Sequence, residues 1–209
     1  MRSNKNALVF LGAAFAIAAI PATAMGAGSG GFARSLGSSF QRLVDGRLTP
    51  APFASVVFCK NNADQCMPTG SAELVTLTED RRAELASVNS GINRSISPRY
   101  DAPGRDVWSV NVTEGDCEDY ALTKRYHLIK MGWPSSALRI AVATTKSGEG
   151  HAVLVVTTSG GDLVLDNRTA AIKHWNQTDL SWVKIQSREN PRKWVSIGDQ
   201  PPKPLLVNY

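Results

Sequence analysis

The chain is short of several things. Among its 209 residues there are only three cysteines and three histidines, and no second CxxC or histidine cluster accompanies them. One cysteine and one well-placed histidine leave too few ligands for a zinc hydrolase site. Lysine and arginine outnumber aspartate and glutamate only 23 to 18, without a basic run, which argues against a dedicated nucleic-acid binder. Beyond the N-terminus no stretch is long and apolar enough to cross a membrane. No internal repeat is visible, so a solenoid or propeller is not indicated.

What is there begins with an export pattern. Arg2 and Lys5 precede the apolar run "ALVFLGAAFAIAAI", and "PATA" follows with small residues at Ala22 and Ala24. At about 14 residues the run falls below the roughly 20 of a spanning helix and suits a cleaved signal peptide over residues 1–24. Loss of Arg2 and Lys5 with it takes the net charge from +5 to +3. Residues 25–50 open with a Gly/Ser-rich stretch and read as a flexible tether, and 199–209 as a Pro-rich tail. Residues 51–198 are enough for one domain with a real core. The expected destination is the periplasm or the exterior, with no stable membrane span after cleavage.

Export changes how the cysteines count. Cys59 and Cys66, in "FCKNNADQC", are natural disulfide partners across a short polar loop. A metal pair is the other reading, without supporting ligands. Cys117 is then the odd thiol, either well buried or chemically employed.

Residues 76–96 carry a helical pattern, with Thr78 as N-cap, Glu79 and Asp80 in the first turn, and Leu85, Val88 and Ile92 at helical spacing. A second helix is expected from Cys117 to Met131, stopped by Gly132 and Pro134. Then the texture changes. "LRIAVATT", "HAVLVVTT", "DLVLDN", "WVKIQS" and "KWVSIG" are short β-branched or alternating runs with Gly, Ser and Asn between them. Helices first and an antiparallel sheet second make an α+β fold with the nucleophile helix packed on the sheet.

In "EGDCEDYALTKRYHL" the odd cysteine stands among acids. Asp116 suits the N-cap, and Asp119 the third helical position of a capping box. At 100° per residue, Glu118 and Asp119 are expected to project away from the thiol, leaving it at the positive helix end, where thiol pKa values fall below the usual value of roughly 8.5. The base is expected to be His151, which opens an apolar strand after a Gly-rich turn. His127 lies too far along the cysteine's own helix, and His174 reads as structural or exposed. If Ser159–Gly160 is a two-residue hairpin turn, Val153 faces Asp166, and Asp166 becomes a same-face diagonal neighbour of His151. A three-residue turn would put Asp166 on the opposite face. Cys117, His151 and Asp166 are thus the parts of a thiol acyl-transfer site: nucleophile, base and orienting acid. The Cys117 backbone N–H is one oxyanion donor, and the second is not legible.

The blocks "EGDCEDYALTKRYHLIKMGWP", "LRIAVATT", "GHAVLVV" and "LVLDN", in this order, resemble the bacterial transglutaminase-like cysteine proteinases, and "VNSGIN" and "DVWS" upstream fit as well. The resemblance covers roughly residues 53–197. It implies a papain-like/transglutaminase core, a cysteine peptidase activity on a protein or peptide substrate of the periplasm or cell surface, and no cofactor for the chemistry itself. Some relatives release large surface adhesins and use calcium held by the acids flanking the cysteine, which here implies Asp116 and Glu118, with backbone carbonyls, waters or upstream acids such as Asp101 and Asp106 completing the shell; helix capping is the alternative role for Asp116 and Glu118. This chain lacks an obvious long insertion, which leaves the substrate open. Acyl transfer to an amine, as in a transglutaminase, and a non-catalytic peptide-binding module on the same fold are the rival functions.

Overall fold

The structure, a computed structural model, describes residues 42–70 and 74–198. The expected signal segment, the tether up to residue 41 and the C-terminal tail lie outside the described residues. Three helices, α1 (Phe53–Asn61), α2 (Glu79–Ser95) and α3 (Cys117–Lys130), precede most of the sheet. The strands are β1 (Asp45–Thr49), β2 (Ser97–Pro98), β3 (Glu114–Gly115), β4 (Leu138–Thr144), β5 (Gly150–Thr158), β6 (Gly161–Leu165), β7 (Lys173–His174), β8 (Ser181–Gln186) and β9 (Trp194–Ile197). Seven of them form one antiparallel sheet in the order β1-β9-β8-β4-β5-β6-β7, while β2 and β3 make a small parallel pair.

The sheet reaches into the stretch expected to be tether. β1 pairs with β9 at its edge, Leu48 opposite Val195. That pairing spans nearly the whole domain in sequence, so local composition could not announce it. α1 was also not legible, because Phe53, Val56 and Val57 are exposed and the helix has no apolar stripe to read. Its last turn carries Cys59, which is disulfide-bonded to Cys66 on the following 3₁₀ turn, with both sulphurs buried. The bridge therefore leaves a helix end rather than spanning a plain loop, and it removes the metal-pair reading.

α2 begins where its cap dictates: Thr78 Oγ1 accepts the Arg81 N–H at 3.2 Å. α3 is the central helix, buried without a break from Glu118 to Arg125. On the helix side of the sheet, Ala121, Leu122 and Leu128 of α3 pack with Leu154 and Val156 of β5 and Leu163 and Leu165 of β6. On the other side, Ala141, Val153, Val155, Val164 and Ile185 form a second apolar layer. Both faces of β5 and β6 are thus buried, which accounts for their unbroken apolar runs.

The hairpin register follows the two-residue turn. Thr158 pairs with Gly161, Val156 with Leu163 and Leu154 with Leu165. Pairing stops there, one residue before Asp166, so the expected Val153–Asp166 pair continues the register but lies beyond the end of the ladder.

Candidate active site

The local rules of the cysteine motif are visible in its glycine. A Cβ on Gly115 would collide with the Asp119 carboxylate. That carboxylate accepts the Asp116 N–H at 3.3 Å through Oδ2 and the Ser109 N–H at 2.7 Å through Oδ1. Asp119 thereby closes the first turn of α3 and ties it to the incoming loop, with the thiol of Cys117 at the first helical position.

The thiol meets the sheet at its open corner. β6 has ended beside Ala152, and the Ala152 backbone N–H donates to Cys117 Sγ at 3.3 Å. The body of α3 lies on the Leu154/Val156 side, whereas His151 shares the strand parity of Val153 and Val155. The helix therefore does not pack on the His151 face; its N-terminus meets the strand at Ala152, next to His151 in sequence. Cys117 and His151 line one cavity of about 530 Å³, together with Tyr100, Arg105, Glu118 and Arg168.

His151 is buried, and its Nε2 lies 3.0 Å from Asp166 Oδ1. Burial pushes the Asp166 carboxyl up, but the His151 hydrogen bond and the Arg168 contacts outweigh it and hold it well below the usual carboxylate range. Against an ionised Asp166, Nε2 carries the proton and donates, leaving the Nδ1 lone pair free. The other two histidines are elsewhere: His127 is exposed on α3 against Tyr126, and His174 lies on edge strand β7.

The acid flank departs from expectation. Glu118 does not project away from the thiol; Cys117 Sγ donates to its Oε2 at 3.1 Å. Successive Cβ bonds diverge, but a glutamate is long enough to fold its carboxylate back on to the preceding sulphur. Burial first, then the Glu118 charge, push the Cys117 thiol above its ordinary range, the reverse of the lowering expected at a helix start. Burial and the neighbouring Asp116 likewise push Glu118 up, and burial pushes Asp116 up.

Asp116 and Glu118 are joined by an acid from the upstream loop. One oxygen each of Asp101, Asp116 and Glu118 lies within 4.8 Å of the others. Among the described residues Asp116 Oδ1 is buried with no hydrogen-bond partner. Repelling, partly desolvated carboxylates with an unsatisfied oxygen fit a hard, oxygen-seeking cation. Asp106 lines the same cavity outside that cluster.

Sequence reasoning named these acids but gave no role to Arg168, which grips Asp166, or to Lys124, a fully buried α3 lysine. Arg168 stood next to the motif, two residues after Asp166, and only its partner distances reveal its part.

A thiol at a helix start, a histidine on the adjoining strand and an acid on that histidine are the parts of a cysteine hydrolase or transferase. Residues 45–201 match the family of bacterial transglutaminase-like cysteine proteinases, and the chain belongs to that family; it is a transglutaminase-like cysteine peptidase. Calcium-bound LapG from Legionella pneumophila is similar at 27% identity and a TM-score of 0.50, over 60% of this chain and 74% of that one. A second LapG structure aligns at 29% identity and a TM-score of 0.48, over 55% and 66% respectively. No curated protein matches the sequence.

Proposed function

We propose that this protein is an exported peptidase that cleaves an amide bond in a protein substrate through Cys117, His151 and Asp166. The observation that carries the reading is the Ala152 N–H to Cys117 Sγ contact, which sets the thiol against the residue following His151, while His151 itself holds Asp166 at 3.0 Å. The signal-like start and the Cys59–Cys66 disulfide support export.

The chemistry follows from the free nitrogen. His151 Nδ1 takes the Cys117 proton as the sulphur attacks the substrate carbonyl carbon, and the charged imidazole is steadied by Asp166. The Cys117 backbone N–H, at the start of α3, faces the developing oxyanion. The imidazolium then protonates the leaving amine, the C–N bond breaks and a thioester remains. Water attacks that thioester with His151 again as base, releasing the acid and restoring the thiol.

Asp101, Asp116 and Glu118 would hold calcium, with backbone carbonyls and solvent completing the shell. A bound calcium supplies positive charge beside the thiol that offsets these carboxylates. LapG has been described in a calcium-bound form, and among the described residues this cluster suits such an ion.

The test is mass spectrometry of exported proteins from cells carrying the wild-type chain or Cys117→Ala. New N-termini seen only with the intact thiol identify substrate and reaction together. Amine incorporation without new termini would replace hydrolysis with acyl transfer, and neither would leave a binding module.

A further inference from the structure

The carboxylate behind the histidine is itself held from its other side by Arg168. Asp166 Oδ2 accepts from Arg168 Nη2 at 2.7 Å and from Nε at 3.0 Å. Oδ1 accepts the Arg168 backbone N–H at 2.9 Å and a longer Nε contact at 3.3 Å, in addition to His151. The i to i+2 spacing makes this an Asx turn closed by its own guanidinium. The far side of that guanidinium is anchored too: Nη2 donates to Asp179 Oδ1 at 2.8 Å and Nη1 to Oδ2 at 3.4 Å. The chain His151–Asp166–Arg168–Asp179 is therefore continuous.

We propose that Arg168 is a positioning residue for this peptidase site, anchored by Asp179; the inference rests on the triad reading above. An aspartate held by one imidazole turns readily about its broad terminal torsion. A planar fork on Oδ2 removes that freedom and aims Oδ1 at His151 Nε2. The opposing charge matters as well. A lone arginine on Asp166 would cancel the pull of the carboxylate on the imidazole, whereas Asp179 balances the guanidinium and leaves Asp166 acting as an anion. Among the described residues a further cation, the fully buried Lys124 of α3, also interacts electrostatically with Asp166. Lysine at position 168 would supply charge without the fork, so the geometry demands arginine.

The experiment is the rate of iodoacetamide alkylation of Cys117 at one neutral pH with calcium present, in wild type, His151→Ala, Asp166→Asn, Arg168→Ala, Arg168→Lys and Asp179→Asn, each checked by thermal melting. Arg168→Ala is expected to slow alkylation at least about 10-fold, as misplacement of a catalytic group does. Added guanidinium at sub-denaturing concentration should restore much of the rate, and methylammonium should not. Arg168→Lys should stay slow, and Asp179→Asn should be slowed to a smaller extent. Wild-type rates in His151→Ala and Asp166→Asn would sink the triad itself. Slowing in those two with wild-type rates in Arg168→Lys and Asp179→Asn would overturn the positioning role alone. These last two variants decide the matter even if Arg168→Ala fails to fold.

Discussion

The Ala152 backbone N–H donates to the sulphur of Cys117 at 3.3 Å, joining a helix start to a strand 35 residues later. With calcium present, Cys117 is expected to react with iodoacetamide faster than a free model thiol at neutral pH. His151→Ala should reduce that rate by about 10²-fold or more, within the range for loss of a general base. An inert thiol in folded, calcium-loaded protein would remove the nucleophile.

Asp166→Asn should leave the fold in place, because an amide oxygen at the Oδ1 position can still accept from His151 Nε2 and from the Arg168 backbone N–H. Turnover should fall by about 10²-fold or more, since the amide cannot stabilise the imidazolium. A wild-type rate of substrate cleavage in this variant would show that the acid only fills space.

Chelation tests the acid cluster. Without a cation, burial pushes the pKa values of Asp116 and Glu118 up, and the Asp116 charge adds to the rise at Glu118. Folded-state values above the unfolded ones mean stability that is full below the ordinary carboxylate range and declines as pH rises beyond it. Chelator-treated protein should therefore melt lower at pH 8 than at pH 5, and calcium should raise the pH 8 value. Glu118→Gln should flatten that pH dependence. A melting curve indifferent to both calcium and pH would return these residues to helix capping.

Lys124 gives the opposite slope. It is fully buried, its ammonium has no hydrogen-bond partner among the described residues, and burial lowers its pKa to about 7 despite the nearby Asp166. Between that value and the ordinary lysine value of 10.5 the unfolded chain binds more protons, so stability rises with pH across this window. Lys124→Met should raise the melting temperature by several degrees at pH 6, with a gain that shrinks towards pH 10. A variant less stable than wild type at pH 6 would show that the ammonium has partners worth more than its burial costs.

Reduction of Cys59–Cys66 tests the staple. Closing so short a loop is worth roughly 2.5 kcal/mol of chain entropy, or about 5–10 °C in melting temperature for a domain of this size. An unchanged melting temperature after reduction would mean that the native contacts around α1 already hold the chain.

The legible parts of this molecule were those whose information is local. Thr78 and Asp119 announce two helix starts, Ser159–Gly160 sets the register that brings Asp166 to His151, and the odd cysteine marks the chemistry. The rest depends on partners distant in sequence. Arg139, buried in β4, reaches Asp45 at 2.7 Å, and Leu43 donates its N–H to Asp162, so the first strand exists only once the last ones do. Glu118 was misread because helical angle fixes where a side chain leaves the backbone, not where a long one ends.

The turn between β5 and β6 has a consequence for heterogeneity. Leu163 and Leu165 on one face of β6 and Val164 on the other are all apolar and buried, so packing alone would penalise a one-residue slip only weakly. Apart from the tertiary bonds of Ser159 N–H to the Val75 carbonyl at 2.8 Å and Leu43 N–H to Asp162 at 2.7 Å, what resists a slip at the turn itself is small: Gly161 at φ 106°, Thr158 Oγ1 donating to the Gly161 carbonyl at 2.9 Å, and the Gly160 N–H returned to Thr158 Oγ1 at 3.2 Å. A chain with that turn loosened would still collapse, melt cooperatively and pass as native by its hydrophobic interior, while presenting a leucine or an asparagine where His151 requires a carboxylate. Loss of Thr158 would thus show first as a fraction of well-folded molecules that never turn over, and only later as loss of stability.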